Sequence, residues 1–210
     1  MKILTVTTPQ YAELTAMLHS TVVPAKLLIA GGKDNGSPDF GTESFNLTCK
    51  FKAQTIVDLM KLMRKNEVLF YVDSDVVLFE KPEYFKAILN ETKYDLLAQQ
   101  DVGSGFCMGF FVVRVTPKTI ALFEEVARQT TKEENDQNVF NRIYGQHWGI
   151  RAAYFNNEEV FNYGMVEGGA LWNGQEFELP KEIKAFHANF TIGLANKKKL
   201  LNYVLKKHGK

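Results

Sequence analysis

Two aspartates separated by one residue, Asp73 and Asp75, are the side chains of this sequence with the clearest chemical potential. They directly follow the apolar run 68–72, which predicts that they lie where a buried strand ends. Carboxylates at positions i and i+2 of an extended chain project to the same side, and the two anions repel each other unless a cation lies between them. Oxygen ligands favour Mg²⁺ or Mn²⁺, and neither ion needs a full protein cage when a diphosphate supplies further oxygens. The pair therefore predicts a divalent-metal site, and the alternative is that both aspartates only cap the strand.

Three later segments carry further candidates, each with a structural alternative. Asp136 and Gln137 begin a predicted helix, where an N-cap and a first-turn acid are a sufficient explanation. His187 follows a short apolar strand, where a single histidine is more often structural than a metal ligand. Gly193 and Lys197 offer a backbone amide and a cation to phosphate oxygens, or else form a turn and a helix start. Taken one at a time, these residues do not identify a function.

The composition favours one domain over residues 1–210 and excludes several partners. The chain is 45% apolar and 12% aromatic, which is enough for one sizeable core. A net charge of +1 gives no long-range attraction to nucleic acid. The N-terminus has no signal-peptide core, and no apolar run approaches the roughly 18 residues of a membrane span. Cys49 and Cys107 are predicted to be reduced thiols. These features predict a cytoplasmic protein without a membrane span.

Helices and strands must hold these residues in place, and their order predicts an α/β fold. Apolar and periodic segments predict the following elements along the chain: strand 2–7, helix 10–19, strand 26–32, loop 32–46, amphipathic helix 49–65, strand 68–72, a helix after Pro82, strands 94–99 and 109–115, helices 116–129 and 136–143, strand 185–189 and a basic helix 196–207. Alternating strands and helices indicate a mostly parallel central sheet with helices on both faces. Ligands of such sheets bind outside the carboxyl ends of the strands, where Asp73 and Asp75 are expected.

Four segments, FYVDSDVVLF, CMGFFVVRVTP, NDQNVFN and HANFTIG, occur in an order that is typical of one group of enzymes. Through them the sequence resembles the GT-A nucleotide-diphospho-sugar glycosyltransferases, and above all the family that contains plant cell-wall xylosyl- and arabinosyltransferases. The resemblance covers about residues 50–197, and the first strand is compatible with it. It implies a single GT-A domain that transfers a sugar from a UDP-sugar donor to a glycan acceptor. A compact homologue encoded by a large algal virus is compatible with the resemblance, and such a viral protein is expected in the host cytoplasm.

The resemblance also implies a metal site for Mn²⁺ or Mg²⁺. Asp75 would bind the ion directly, Asp73 would contribute through the ion or the ribose, and His187 would complete the protein ligands. Thr7 and Thr8, at the end of the first strand, fall where such enzymes hold the nucleoside, which is usually uridine.

Near the transferred sugar, the resemblance places Asp136 and Gln137 beside the anomeric carbon, while Gly193 and Lys197 would contact the diphosphate. It favours retention of configuration, with inversion as the alternative in which Asp136 acts as a base. The sequence departs from the family pattern at Cys107 and Met108, where many relatives have small polar residues. We also expect a member without the N-terminal membrane anchor that is common among secretory-pathway members, which favours a cytoplasmic or viral-factory enzyme. No pattern identifies the sugar, the acceptor or the oligomeric state.

Two other functions are compatible with parts of the sequence. The segment from Asp73 to Val77 is similar to the signature of haloacid-dehalogenase-like phosphatases, in which the first aspartate is a covalent nucleophile. That signature normally ends the first strand, whereas here it follows two strands and two helices. The other alternative is a nucleotide-sugar binding module that keeps the metal site without turnover. Asp136 argues against it, because it would supply a group near the anomeric carbon.

Overall fold

The computed structural model describes residues 1–33, 36, 39–103, 105–146, 148–166 and 168–209. In order, the elements of this described part are β1 (Lys2–Thr7), α1 (Ala12–Val22), β2 (Leu27–Gly31), α2 (Glu43–Leu62), β3 (Val68–Val72), β4 (Val76–Leu78), α3 (Pro82–Glu91), β5 (Leu96–Gln100), β6 (Phe106–Arg114), α4 (Pro117–Gln129), α5 (Asp136–Ile143), β7 (Ala152–Tyr154), β8 (Val160–Phe161), β9 (Ala185–His187) and α6 (Leu194–His208). Short 3₁₀ turns at Pro9–Tyr11 and Tyr163–Met165 precede α1 and follow β8.

The central sheet has the strand order β2-β1-β3-β6-β5-β7. Strand β6 is antiparallel to both of its neighbours, β3 and β5, while the remaining pairs are parallel. The α/β class and the mostly parallel sheet expected from the sequence are therefore confirmed. Because β6 runs in the opposite direction, its first residues lie at the same edge as the last residues of β1, β3 and β5. A second sheet, in the order β4-β9-β8, lies beside this edge and carries its own hydrophobic cluster with α6.

Both faces of the central sheet are buried, as the continuous apolar sequence of β3 predicts. Side chains alternate along a strand, so Leu69 and Tyr71 pack with α2, α4 and α5, whereas Val68, Phe70 and Val72 pack with α1 and α3. The carboxyl ends of the strands are thereby fixed between two helical layers.

The boundaries of two helices differ from the sequence prediction. Helix α2 begins at Glu43 instead of residue 49, because the Thr42 hydroxyl accepts a hydrogen bond from the Phe45 amide and caps the helix. The polar residues of this first turn interrupt the apolar periodicity on which the prediction was based. Residues 34, 35, 37 and 38 of the predicted loop lie outside the described residues. Helix α1 begins later than predicted, because Pro9 starts a 3₁₀ turn first.

Three short strands, β4, β7 and β8, were missed in the sequence, and each has only two or three residues. Such strands are too short to show a period and are formed by pairing with distant segments. Strand β4 matters most for the site, because its residue Val76 pairs with His187 of β9. Among the described helices, none is both long and apolar enough to cross a membrane.

Candidate active site

Asp73, Asp75 and His187 converge at the carboxyl edge of the central sheet. Each offers one ligand atom, and the three atoms all lie within 4.8 Å of one another. The aspartates follow β3, and the antiparallel pairing of β4 with β9 brings His187 opposite Val76. The backbone carbonyl of Asp75 also accepts a hydrogen bond from the Ala188 amide, 2.9 Å away. Two strands that are distant in sequence therefore fix the geometry of this cluster.

The Asp75 carboxylate is buried and lies between two cations. His187 Nε2 is 3.3 Å from Asp75 Oδ1, and the Lys197 ammonium donates to Asp75 Oδ2 and to the Ala188 carbonyl. Burial alone would raise the pKa of the Asp75 carboxyl, but Lys197 and His187 outweigh it and hold this pKa well below its usual range. Burial likewise would lower the pKa of His187, whereas the Asp75 carboxylate and Cys107 raise it to about 10. The cluster is thus an anionic site that the protein's own cations neutralise.

Asp73 is the more accessible aspartate of the pair. Its Oδ1 accepts a hydrogen bond of 2.6 Å from the Tyr71 hydroxyl, and its Oδ2 is 3.9 Å from His187 Nε2. Its amide donates to the Gly109 carbonyl at 2.7 Å, so that strand β6 holds the residue in place. A carboxylate with one side fixed and 30% of its side chain exposed is suited to bind a ligand from the cleft.

Gly109 allows the aspartate and the histidine to approach each other over strand β6. A Cβ atom at this position would be 2.4 Å from Asp73 Oδ2 and 2.5 Å from His187 Cε1, distances that real Cβ atoms do not show. Any other residue would displace one of the two side chains. The glycine is therefore required for the close approach of the Asp73 and His187 side chains.

Asp136 begins α5 and forms a buried ion pair with Lys52 of α2. The Asn135 side chain caps the helix by accepting from the Asn138 amide, which orients its first turn. Asp136 Oδ2 is 2.9 Å from Lys52 Nζ, and Lys52 Nζ is also 3.9 Å from Asp73 Oδ1. Burial raises the pKa of the Asp136 carboxyl, although Lys52 acts in the opposite direction. Burial would lower the pKa of the lysine, but the Asp136 and Asp73 carboxylates raise it above its usual range.

Gln137 is placed beside the cleft with both ends of its side chain engaged. Its Oε1 accepts from the Met108 amide at 3.0 Å, and its Nε2 donates to Asp101 Oδ2 at 2.6 Å. The glutamine thus joins the start of β6 to Asp101, the residue that follows β5. Through this contact it holds the Asp101 carboxylate at the cleft wall.

A cleft of about 440 Å³ joins these groups, and most of the residues singled out from the sequence line it. Those are Thr7, Thr8, Asp73, Asp75, Asp136, Gln137, His187 and Lys197. Thr7 is held by a 2.7 Å contact between its Oγ1 and that of Thr15. Gly193 differs from the others, because it caps α6 beside the cleft and its amide already donates to Asp39 Oδ1 at 3.2 Å. That amide is not available to a phosphate in this arrangement.

Three further residues of the cleft were not singled out in the sequence: Lys52, Asp101 and Tyr11. Lys52 lies in the middle of an amphipathic helix, where a lysine indicates a solvated face, yet it is only 7% exposed. Asp101 follows β5 in a connecting segment and Tyr11 ends the 3₁₀ turn before α1, and neither residue belongs to a motif. A lysine at a position where the helical period requires an apolar residue was the one available signal.

The donor set suits a hard divalent cation. The two carboxylates suit Mn²⁺ and Mg²⁺, which take further oxygens from a substrate, and the imidazole adds one nitrogen ligand beside them. The Gly109 backbone makes room for the ligand atoms to converge. Lys52 and Lys197 place positive charge beside the carboxylates of the cleft, which reduces the repulsion that a phosphate group would meet there. The cleft can therefore hold an anionic ligand together with a cation.

Comparison with known proteins identifies the family of this chain. Residues 12–201 match the model of the nucleotide-diphospho-sugar transferase family. No curated protein matched the sequence. Solved structures share its fold at low sequence identity, so they support the fold but not a substrate or a residue role.

One similar structure is a glycosyltransferase involved in the glycosylation of the major capsid of PBCV-1, with a TM-score of 0.60, 9% identity, and coverage of 96% of this chain and 100% of that one. Mouse xyloside xylosyltransferase 1 has a TM-score of 0.54 and 10% identity, with coverage of 93% and 98%. The bifunctional glycosyltransferase WbbM has a TM-score of 0.59 and 13% identity. The match covers 89% of this chain but only 45% of the WbbM chain.

These similar structures have the GT-A fold that the resemblance predicts. In this chain, Asp73 follows the third strand, whereas the phosphatase signature normally follows the first. That placement and the family match remove the support for a phosphatase with Asp73 as nucleophile. With a family model that spans nearly the whole sequence and a fold shared with glycosyltransferases, the chain belongs to the nucleotide-diphospho-sugar transferase family.

Proposed function

We propose that this protein transfers a sugar from a UDP-sugar to a glycan acceptor in a reaction that depends on Mn²⁺ or Mg²⁺. The observation that carries the proposal is the convergence of ligand atoms from Asp73, Asp75 and His187 within 4.8 Å in the main cleft. Family membership supports the use of a nucleotide sugar. The viral origin and the cytoplasmic location stay predictions from the sequence.

The donor binds with its nucleoside toward the end of β1 and its diphosphate toward the metal ligands. Thr7 and Thr8 offer hydroxyl and backbone groups to the nucleoside, and Tyr11 lines the same part of the cleft. Burial and the nearby carboxylates of Asp75 and Asp73 raise the pKa of the Tyr11 hydroxyl, which keeps it neutral. Lys197 provides a cation for the diphosphate, and Gly193 acts by shaping the start of α6. The resemblance favours uridine as the base.

A bound divalent cation would neutralise the diphosphate and stabilise the charge that develops on it as it leaves. The protein's own contribution is to hold Asp73, Asp75 and His187 in place and to limit the access of water. The bond between the anomeric carbon and the diphosphate oxygen breaks, and a bond from that carbon to the acceptor hydroxyl oxygen forms. The acceptor proton passes to the leaving diphosphate in a retaining reaction.

Retention fits the environment of Asp136 better than inversion does. A general base has to receive the proton of an acceptor hydroxyl that enters from solvent. Asp136 is instead 3% exposed and ion-paired with Lys52 at 2.9 Å. A buried carboxylate in this position can stabilise positive charge on the sugar ring, which is the role that a retaining reaction requires. Gln137 supports the site by holding Asp101 toward the cleft.

The test is the release of UDP from a panel of UDP-sugars, with and without a glycan acceptor. Exhaustive chelation should abolish release, and Mn²⁺ or Mg²⁺ should restore it. Asp75→Ala should abolish it irreversibly, whereas Asp58→Ala, an exposed aspartate of α2 outside the cleft, should leave it unchanged. Full activity of the chelated protein would contradict the metal assignment.

Calorimetry with nucleotides tests the donor class separately. UDP should bind in the presence of Mn²⁺, and His187→Ala should weaken that binding. Tighter binding of GDP or of a nucleoside monophosphate would contradict the uridine assignment. Metal-dependent UDP binding without release of UDP from any donor would instead identify a binding module without turnover.

A further inference from the structure

We infer that Gln99 is a positioning residue of the metal site, whose side-chain carbonyl accepts the Nδ1 proton of His187 and leaves Nε2 to coordinate the cation. This inference rests on the proposed metal-dependent function, because it assigns a role toward the same three ligands. It adds a residue that contacts neither the cation nor the substrate.

The two ring nitrogens of His187 have different surroundings. Nδ1 lies 2.8 Å from Gln99 Oε1, which is a hydrogen-bonding distance. Because a carbonyl oxygen can only accept, the proton of this hydrogen bond must be on Nδ1. Nε2 lies on the other side of the ring, 3.3 Å from Asp75 Oδ1 and 3.9 Å from Asp73 Oδ2. A proton fixed on Nδ1 is what a metal-ligating histidine needs, since the cation binds the lone pair of the other nitrogen.

A bulge between β5 and β6 brings the glutamine to the ring. The two strands pair regularly from Leu96 to Ala98, which lies opposite Phe111, and the register then shifts so that Gln99 lies opposite Cys107. Within the skipped part of β6, Gly109 leaves space for the His187 ring. Irregular pairing of this kind often serves to aim a side chain at a site.

Packing alone does not explain a glutamine at this position. Gln99 is completely buried, and its Nε2 has no hydrogen-bond partner among the described residues. An unpaired buried amide costs stability that an apolar side chain of similar size would not cost. The one polar contact that the side chain makes in the described part of the chain is the one to His187. Cys107 Sγ, at 3.8 Å from Nδ1, is a weak acceptor and no substitute for a carbonyl.

The experiment measures Mn²⁺ affinity by electron paramagnetic resonance of the free ion, with the full chain and without nucleotide. Gln99→Leu should weaken Mn²⁺ binding about 10- to 100-fold, the usual effect of removing such a partner of a ligating histidine. Gln99→Glu should keep affinity, because a carboxylate accepts the same proton. Gln100→Leu is the matched control, since the Gln100 side chain bonds to the Gly103 carbonyl and Asn157 instead.

A second measurement needs no variant. In the Mg²⁺-bound wild-type protein, ¹⁵N NMR should show the His187 ring protonated at Nδ1 and not at Nε2. The inference is overturned by an unprotonated Nδ1, by Gln99→Leu binding Mn²⁺ like the wild type, or by Gln100→Leu weakening it equally.

Failure of the proposed function gives a different result. In that case the wild-type protein would bind no Mn²⁺, or His187→Ala would bind it as the wild type does. Either result also removes the inference about Gln99. Loss of affinity in His187→Ala together with wild-type affinity in Gln99→Leu would refute the inference and leave the metal site standing.

Discussion

Replacing Gly109 by alanine tests whether the glycine sets the spacing of the metal ligands. The added Cβ would lie 2.4 Å from Asp73 Oδ2, about 1 Å closer than the 3.4 Å at which ordinary contacts begin. It would also lie 2.5 Å from His187 Cε1, so both side chains would have to shift to make room for the methyl group. Metal–ligand distances tolerate only about 0.2 Å, and disturbing the residues that orient a metal ligand typically costs about 10- to 100-fold in metal affinity. We therefore expect Gly109→Ala to weaken Mn²⁺ binding by about 10- to 100-fold.

The assay is Mn²⁺ titration of the variant, combined with its melting temperature without metal. Gly105→Ala is the matched control, because its Cβ would meet Asn141 at an ordinary 3.5 Å. That control should bind Mn²⁺ as the wild type does. Wild-type affinity in Gly109→Ala would refute the reasoning, since the ligands would then have to tolerate a shift that coordination does not allow. A large fall in melting temperature would mean that the strain spreads into β6 and does not stay in the side chains.

Three further predictions concern the charged groups of the cleft. Lys52→Met should lower the free energy of unfolding by about 3–5 kcal/mol, because Asp136 loses its buried partner. The double variant Lys52→Met/Asp136→Leu should recover much of this loss, and urea denaturation measures both values. Asp136→Asn should reduce turnover by about 10²- to 10³-fold while calorimetry still shows UDP-sugar binding with Mn²⁺, and near-normal turnover would place Asp136 outside the reaction. Burial lowers the pKa of folded His187, but Asp75 outweighs this effect and raises the pKa to about 10. Between pH 6.5 and 10 the folded state therefore holds a proton that the unfolded state has lost, so the metal-free protein should become less stable as the pH rises through this range. The melting temperature of His187→Gln should lose this dependence, and an unchanged pH profile would contradict the assignment.

Long elements with a clear period could be predicted from the sequence, and short paired ones could not. The apolar run of β3 predicted a strand buried on both faces, and the alternation of strands and helices predicted the α/β class. Strands β4 and β8 have three and two residues and exist because β9 lies between them. Their formation depends on partners that are distant in sequence, which no local pattern reports.

The same distinction holds for the candidate site. Asp73 and Asp75 could be located from the strand that precedes them, while the resemblance to a family was needed to associate His187 with them. Lys52 and Gln99 were missed because their environment, and not their position in a motif, makes them notable. Each is a polar side chain buried where the fold brings several elements together. The hydrogen bond from the Gly193 amide to Asp39 is likewise not visible in any local pattern, because Asp39 lies more than 150 residues earlier.

The pairing of β4 with β9 has a consequence for how the chain unfolds. Asp75 and His187 are more than 100 positions apart, so a cation bound between them would act as a reversible cross-link that closes about half of the chain into a loop. Closing so long a loop restricts the disordered chain more than the native one. Detachment of the C-terminal part, including α6, would break this cross-link, so a bound ion would stabilise this part against local opening. Amide exchange in β9 and α6 should accordingly slow as the concentration of Mn²⁺ rises.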